Sequence, residues 1–406
     1  MASEGCGQRR PSPTQEVHVP ESPGLARRTQ VLIDDATAGF VGRTYVFDKI
    51  ESFIAENRSG YFRLTADPGE GKSAIMAEYV RRTGCIAHFN VLSETYNNTA
   101  QFTQHVATQL VARRLIADVG PPADGGLGVA DLLIEARAAL PAPERLVLVV
   151  DALDEADRRD LPSTANVLLL PRTLPPGVHV LVSSRRDQNV PLRVSSVLID
   201  MDLADYADAS LHDVRDLLTR RSSDGPLRAW ISDRGITPDA FVQTLAEKSR
   251  GNFMYLRHVL PELVFGSYRD LQHLDDLGRR LPVGLENFYQ DHWRLMGMTD
   301  PASATPAWVL YLLCELARPV SVDLLALIMQ RVRPEIDVYG IQRVLDEWSA
   351  FLRPTDDVRR SIYHDTFRGF LRRQDVVESV GLSLPRVNGV IADVLWEYEN
   401  LPGGQA

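Results

Sequence analysis

Apolar and polar positions change rhythm along this 406-residue chain. In the first half, short runs rich in Val, Leu and Ile alternate with longer helical stretches, the pattern of a parallel sheet with crossover helices. Five runs read as strands: Tyr61–Thr65, Cys85–Leu92, Leu146–Val150, His179–Ser183 and Val197–Met201. Each is short enough for a strand and β-branched or aromatic enough to be buried. Beyond Asp205 the strand signals stop and amphipathic helical patterns follow, as in Leu211–Leu218 and Phe241–Ala246. Pro282 and Gly284 break the next helix, and an Ala/Thr/Pro link from Pro301 to Pro306 leads into a third unit. Helices at Trp308–Leu316, Val322–Gln330 and Ile341–Leu352, followed by a strand-like Ile362–Tyr363, predict a small winged-helix fold there. A last helix, Val387–Tyr398, runs out into Leu-Pro-Gly-Gly-Gln-Ala, and no internal repeat is present. The expected organisation is a disordered tail (1–38), an α/β domain (39–205), a helical domain (206–300), a winged-helix domain (301–380) and a C-terminal helix with a flexible tail (381–406).

Composition narrows the function classes. The chain is 44% apolar and 24% charged, with no apolar run of membrane-spanning length, so no membrane partner is expected. Cys6, Cys85 and Cys314 form no CxxC pair and have no clustered histidines, which points to a reducing, cytoplasmic setting rather than a disulfide or zinc scaffold. Residues Met1 to Gln30 lack the apolar core of a signal peptide. A net charge of −10 argues against a broad grip on nucleic acid, so DNA is not the default partner.

The strongest chemical signal is Ala66-Asp67-Pro68-Gly69-Glu70-Gly71-Lys72-Ser73, directly after one strand and before the helical Ala74–Val80. This is a phosphate loop. Successive backbone N–H groups and a helix N-terminus converge on phosphate, and glycines permit the backbone angles and close approach. Lys72 would reach the β- and γ-phosphates, and the Ser73 hydroxyl would ligate Mg²⁺. Ala66 stands where the usual pattern has its first glycine, which is tolerable if its φ stays negative.

A second element is Arg145-Leu-Val-Leu-Val-Val-Asp151-Ala-Leu-Asp154-Glu155, an apolar strand ending in three carboxylates. A buried parallel strand delivers its C-terminal residues to the ligand crevice, where Asp151 can hold Mg²⁺ through water. Asp154 and Glu155 could orient or deprotonate the attacking water, with Glu155 the chosen base. The next strand ends in Ser183-Ser184-Arg185-Arg186, and an arginine there can sense the γ-phosphate through its planar fork. Two solvated strand-end arginines are the alternative. The pairs Arg27-Arg28, Arg359-Arg360 and Arg372-Arg373 read as solvated faces, the last two also as contacts for a partner or DNA. His88 in His88-Phe-Asn90 reads as a satisfied core residue.

Taken together, these residues resemble a STAND-class P-loop NTPase (a signal transduction ATPase with numerous domains), of the bacterial NACHT-like type. The marks of resemblance are Val41-Gly42-Arg43, the phosphate loop, the Asp-x-x-Asp-Glu strand end and Ser-Ser-Arg. Further marks are Gly251-Asn-Phe253-Met-Tyr, Leu281-Pro-Val-Gly-Leu-Glu-Asn-Phe-Tyr289 and Tyr363-His364-Asp365. The resemblance implies a five-stranded parallel α/β sheet of the ASCE/AAA-like kind, followed by helical and winged-helix domains. It implies that Val41, Gly42 and Arg43 line the adenine side, although Thr44 stands where an acidic residue commonly follows, and that Arg185 rather than Arg186 is the sensor. It further implies that His364 reaches the β-phosphate of bound ADP; a hydrogen-bonded histidine in a winged-helix turn is the equal alternative. Phe253 would be a base contact or a core aromatic.

The implied function is an ATP/ADP switch with slow ATP hydrolysis, closed with ADP and opened for self-association by ATP. Effector or sensor modules would be separate proteins, or the chain a reduced or truncated member. A continuously active AAA-type motor and an ATP-responsive winged-helix DNA regulator share the same phosphate-binding residues.

Overall fold

The computed structural model describes residues 22–91, 97–117, 128–159, 161–223, 225–298, 300, 304–354 and 358–399. The expected lead-in up to residue 21, the end of the second strand run at Leu92, the link at 301–303 and the tail after 399 lie outside these residues.

Five parallel strands form one sheet: β1 (Gly60–Ala66), β2 (Ile86–Phe89), β3 (Leu146–Asp151), β4 (Val178–Arg185) and β5 (Val197–Asp202), in the order β2-β3-β4-β1-β5. The central strands are Val/Leu/Ile runs because both faces are covered. One face packs a core that includes Phe102, Leu133, Leu148 and Val180, and the other packs Ile50, Phe62, Ile75 and Leu181. The expectation that all five strands are buried fails for β5. It is an edge strand, with Val197 45% exposed and only Met201 fully buried. The segment assigned to a disordered tail contains a helix, Arg27–Thr37, which packs on the helix Lys72–Thr83 and buries Ile33.

Among the described residues six helices follow the sheet between Ala207 and Leu295, the principal ones being Ala207–Ser222, Pro238–Ser249, Phe253–Val264 and Leu285–Leu295. Then come the helix Ala304–Leu316, β6 (Val320–Ser321), the helices Val322–Met329 and Val338–Glu347, β7 (Leu352–Pro354) and β8 (Arg359–Ile362). The three strands form an antiparallel sheet ordered β6-β8-β7. The helix expected over Ile341–Leu352 stops at Glu347, and Leu352 opens β7. Helices Asp365–Leu371, Gln374–Ser379 and Leu384–Glu399 complete the described chain.

The C-terminal helices and this small antiparallel sheet share one apolar core running from Val214 to Val394. At its centre Phe351 lies between His258, His292 and Phe367, with ring centroids 4.9, 4.7 and 4.6 Å away. His258 and His292 are 3% and 4% exposed. Among the described residues, His258 Nε2 and both ring nitrogens of His292 have no hydrogen-bond partner. Burial accordingly pulls both imidazoles below their ordinary range, His258 to about 3, so each is neutral in the folded protein.

These histidines set a pH dependence. Their folded pKa values lie below the unfolded value of about 6.5, so the unfolded chain binds more protons between the two. The contribution of His258 is fully present above about pH 6.5 and is lost as pH drops below that, by up to ~1.4 kcal/mol per pH unit, and His292 acts in the same direction. Replacing His258 by Phe should flatten the fall of melting temperature between pH 6.5 and 4.5. An unchanged slope would show that His258 does not titrate on unfolding.

Candidate functional site

The C-terminal ends of β1, β3 and β4 meet at one edge of the sheet, and the chain leaves β1 there as the phosphate loop. Ala66 ends β1 fully buried and in register with Arg185 of β4. It is strand backbone and is not among the residues with positive φ, so its methyl group is accommodated. Gly69 and Gly71 carry φ values of +83° and +95°, conformations that disfavour a side chain. Gly71 is the N-cap of the helix Lys72–Thr83, so Lys72, Ser73 and Ala74 form its first turn. Asp67 is exposed, and Pro68 and Glu70 are half-buried.

Lys72 Nζ donates to the carbonyls of Ala66 and Asp67 at 2.9 and 3.1 Å. Burial lowers its pKa, opposed by the charges of Asp154, Asp151 and Glu70. Asp151 is 3% exposed; burial raises its pKa, against the hydroxyls of Ser183 and Ser73, which hydrogen-bond to it. Ser183 Oγ donates to Asp151 Oδ1 at 2.5 Å and accepts the Ala152 N–H at 2.9 Å. Ala152 has a left-handed φ of +50°, and the short helical turn Leu153–Glu155 begins just after it. Asp154 Oδ1 accepts the Arg185 backbone N–H at 3.1 Å. Glu155, with Asp154, Asn97, Arg185 and Asp365, lines a cleft of about 760 Å³. Asp154 is thus fixed on β4 and lines the cleft beside Glu155.

Arg185 and Arg186 diverge. Arg186 pairs with Asp202 through two bonds of 2.7 and 2.8 Å and with Asp67 of the loop at 3.0 Å. Arg185 Nη1 reaches Asp365 Oδ2 at 2.9 Å, across 180 residues. Beside Asp365, His364 caps the helix Asp365–Leu371: the Thr366 N–H donates to its Nδ1 at 3.2 Å. The neutral ring therefore keeps its proton on Nε2. Burial pulls His364 down to about 4, opposed by Asp365 and reinforced by Lys72, Arg185 and Arg257. Lys72 and Arg185 thus share an electrostatic neighbourhood with His364.

Val41 is buried, Gly42 lies against Asp213, and Arg43 is 2% exposed. The Arg43 guanidinium donates to Tyr45 Oη, Ser210 Oγ and the Glu70 carbonyl at 2.5, 2.6 and 2.6 Å, and lies 4.7 Å over the Phe253 ring. It is committed to protein partners, and Phe253 packs beneath it. His88 is buried against His105 and Asn90, as a core histidine should be. Arg372 pairs with Glu315, and Arg373 with Asp375 and Glu286.

Sequence reasoning missed Ser183 as the orienter of Asp151, and it missed three asparagines. Asn90 Nδ2 donates to the Asp151 carbonyl at 2.8 Å, Asn97 Nδ2 to the Glu155 carbonyl at 2.6 Å, and Asn252 Nδ2 to the Pro68 carbonyl at 3.1 Å. The Ser-Ser-Arg strand end signalled Ser183; nothing local signals a partner 184 residues away.

No protein-family model matches the chain, and no curated protein matches it. Solved structures that align with it include a STAND protein with a tetratricopeptide repeat sensor from Pyrococcus horikoshii, at 14% identity and a TM-score of 0.42, covering 89% of this chain and 46% of that one. This chain therefore spans under half the length of that protein. A Walker-type ATPase of Pyrococcus abyssi aligns at 11% identity and TM-score 0.39 over 82% and 96% of the two chains. Cdc6p from Pyrobaculum aerophilum aligns at 14% and 0.33 over 95% and 97%. Among the described residues no helix is long and apolar enough to cross a membrane. The strand order, the loop after β1, the acidic end of β3 and the intervening β4 make the first unit an α/β P-loop NTPase fold, followed by a helical C-terminal region.

Proposed function

We propose that this chain is a nucleotide-dependent switch of the STAND kind, which binds ATP or ADP at the phosphate loop and hydrolyses ATP slowly. The observation that carries the reading is the position of His364 and Asp365. They begin a helix of the C-terminal region, yet Asp365 holds Arg185 of β4 and His364 lies in the field of Lys72. In this arrangement the arginine suited to sense a γ-phosphate is paired with a carboxylate, and a neutral Nε2–H is available to a β-phosphate oxygen. A diphosphate satisfies that arrangement. A triphosphate competes with Asp365 for Arg185 and so favours a conformation in which the C-terminal region has moved away.

The backbone amides around Gly69 and Gly71 and the N-terminus of the helix Lys72–Thr83 would cradle the phosphates, with Lys72 on their outer oxygens. Ser73 and Asp151, whose side chains hydrogen-bond to each other, fit a Mg²⁺ ion held jointly with the phosphates and water. That ion would offset charge on the phosphate oxygens. Glu155 would accept the proton of the attacking water, while Asp154 keeps the turn on β4. Val41 to Arg43 would close the adenine side, with Arg43 acting through the loop it holds. ATP-dependent self-association and separate effector or sensor proteins belong to the same reading.

Lys72→Ala should lower the affinity for both nucleotides by about a hundredfold, measured by calorimetry, because it removes the mobile cation of the loop. Near wild-type affinity would remove the loop from the reading. Glu155→Gln should bind ATP normally and hydrolyse it roughly a hundredfold more slowly; unchanged turnover would pass the role of base to another group. His364→Asn keeps a helix cap but withdraws the Nε2 donor. It should weaken ADP relative to ATP by roughly fivefold to a hundredfold and speed nucleotide exchange. Equal losses for ADP and ATP would favour a steadily turning motor over a switch.

A further inference from the structure

The carbonyls of the phosphate loop are held one by one. Lys72 Nζ takes those of Ala66 and Asp67. The next three are held from outside the loop. The Pro68 carbonyl accepts from Asn252 Nδ2 at 3.1 Å, that of Gly69 from the Met254 backbone N–H at 3.3 Å, and that of Glu70 from Arg43 Nη2 at 2.6 Å. In a trans peptide the C=O and N–H of one plane point in opposite directions. Holding the carbonyls of 68, 69 and 70 outward therefore turns the N–H groups of Gly69, Glu70 and Gly71 toward the opposite, inner side of the loop. The Glu70 N–H also makes a long turn bond of 3.4 Å to the Asp67 carbonyl.

Asn252 acts through two atoms. Its Oδ1 caps the helix Phe253–Val264 by accepting the Tyr255 N–H at 3.0 Å, and its Nδ2 holds Pro68. Met254 lies in the first turn of that helix, where N–H groups have no intrahelical acceptor, and donates to Gly69. The approach is close. A Cβ on Gly69 would fall 2.8 Å from both polar atoms of the Asn252 side chain, so glycine is required here for the contact as well as for its φ.

We infer that Asn252 and the Met254 amide are positioning elements of the phosphate site: the helix Phe253–Val264 docks on the loop and presets its amides. Diphosphate binding and docking of the helical region are then coupled, each strengthening the other by the same factor, while a triphosphate, which opens the Arg185–Asp365 contact, draws less on the grip. The identity of the ligand rests on the nucleotide reading above; the grip on the loop does not.

Asn252→Ser separates the two roles, since serine caps a helix as well as asparagine but is too short to reach the Pro68 carbonyl. Hydrogen exchange of the peptide covering residues 66–73 would be followed in the full chain without nucleotide, alongside calorimetric affinities for ATP and ADP. In the serine variant the loop should exchange faster and the ADP affinity should fall about tenfold, the weight of one such hydrogen bond, with a smaller loss for ATP, at a nearly unchanged melting temperature. Asn252→Ala should match those affinity losses and melt lower as well, because it also removes the cap. Unchanged loop exchange in the serine variant would overturn the grip. Faster exchange with unchanged affinity would overturn the coupling. Should the wild-type chain bind neither nucleotide, the proposed function fails, and the exchange result still decides the grip.

Discussion

A guanidinium removed from water must satisfy its donors within the protein, and Arg43 does so by drawing three parts of the chain to one point. Its partners are Tyr45 on its own helix, Ser210 and Asp213 of the helix Ala207–Ser222, and the Glu70 carbonyl of the phosphate loop. The backbone contributes as well: the Arg43 N–H donates to Asp213 Oδ2 at 3.0 Å. To make these contacts Arg43 holds a left-handed φ of 60°, a conformation that costs about 1–2 kcal/mol for a residue with a side chain. Buried ionic groups of this kind add little net stability. While they hold, these contacts fix the register of the phosphate loop against the helical region.

The same logic runs through the other side of the site. Asp365 is shared between Arg185 and Arg368, and His364 is oriented by Thr366, whose hydroxyl is in turn 2.9 Å from Tyr289 Oη. Tyr289 belongs to the aromatic core around Phe351. Thr366 and, through it, His364 are therefore positioned by rings that are themselves closely packed, which limits how far either can shift alone.

Local spacing made the loop, the acidic strand end and the Ser-Ser-Arg end readable, because each is a run of adjacent residues whose meaning depends on a neighbouring strand or helix. The central strands were readable for the same reason, being apolar runs buried on both faces. β6 and β7 were not, since two or three residues carry no periodicity. The helix Arg27–Thr37 was missed because its sequence is polar on average and its order comes from tertiary contacts: Ile33 is buried, and Asp35 meets Arg257 at 3.2 Å and Tyr363 Oη at 3.1 Å. Asn252 was quoted within a motif, but its partner lies 184 residues earlier, and no pattern along the chain encodes such a pairing. The low pKa of His258 was equally hidden, because it depends on which rings surround it.

The distribution of apolar burial says where this molecule can open. The C-terminal helices and the small antiparallel sheet share one continuous core, whereas the parallel sheet carries its own two, and the contacts described between the two are mainly polar: Arg43 with Ser210 and over the Phe253 ring, Asn252 with Pro68, Arg185 with Asp365. Separating the shared core would expose aromatic surface to water, while parting the polar seam exchanges each bond for one to solvent at small net cost. The seam can re-wet; the core cannot. If that seam parted, everything from Val214 to Val394 would travel as one body relative to the parallel sheet, and dissolved salt, which weakens ion pairs and leaves apolar packing intact, would ease the parting.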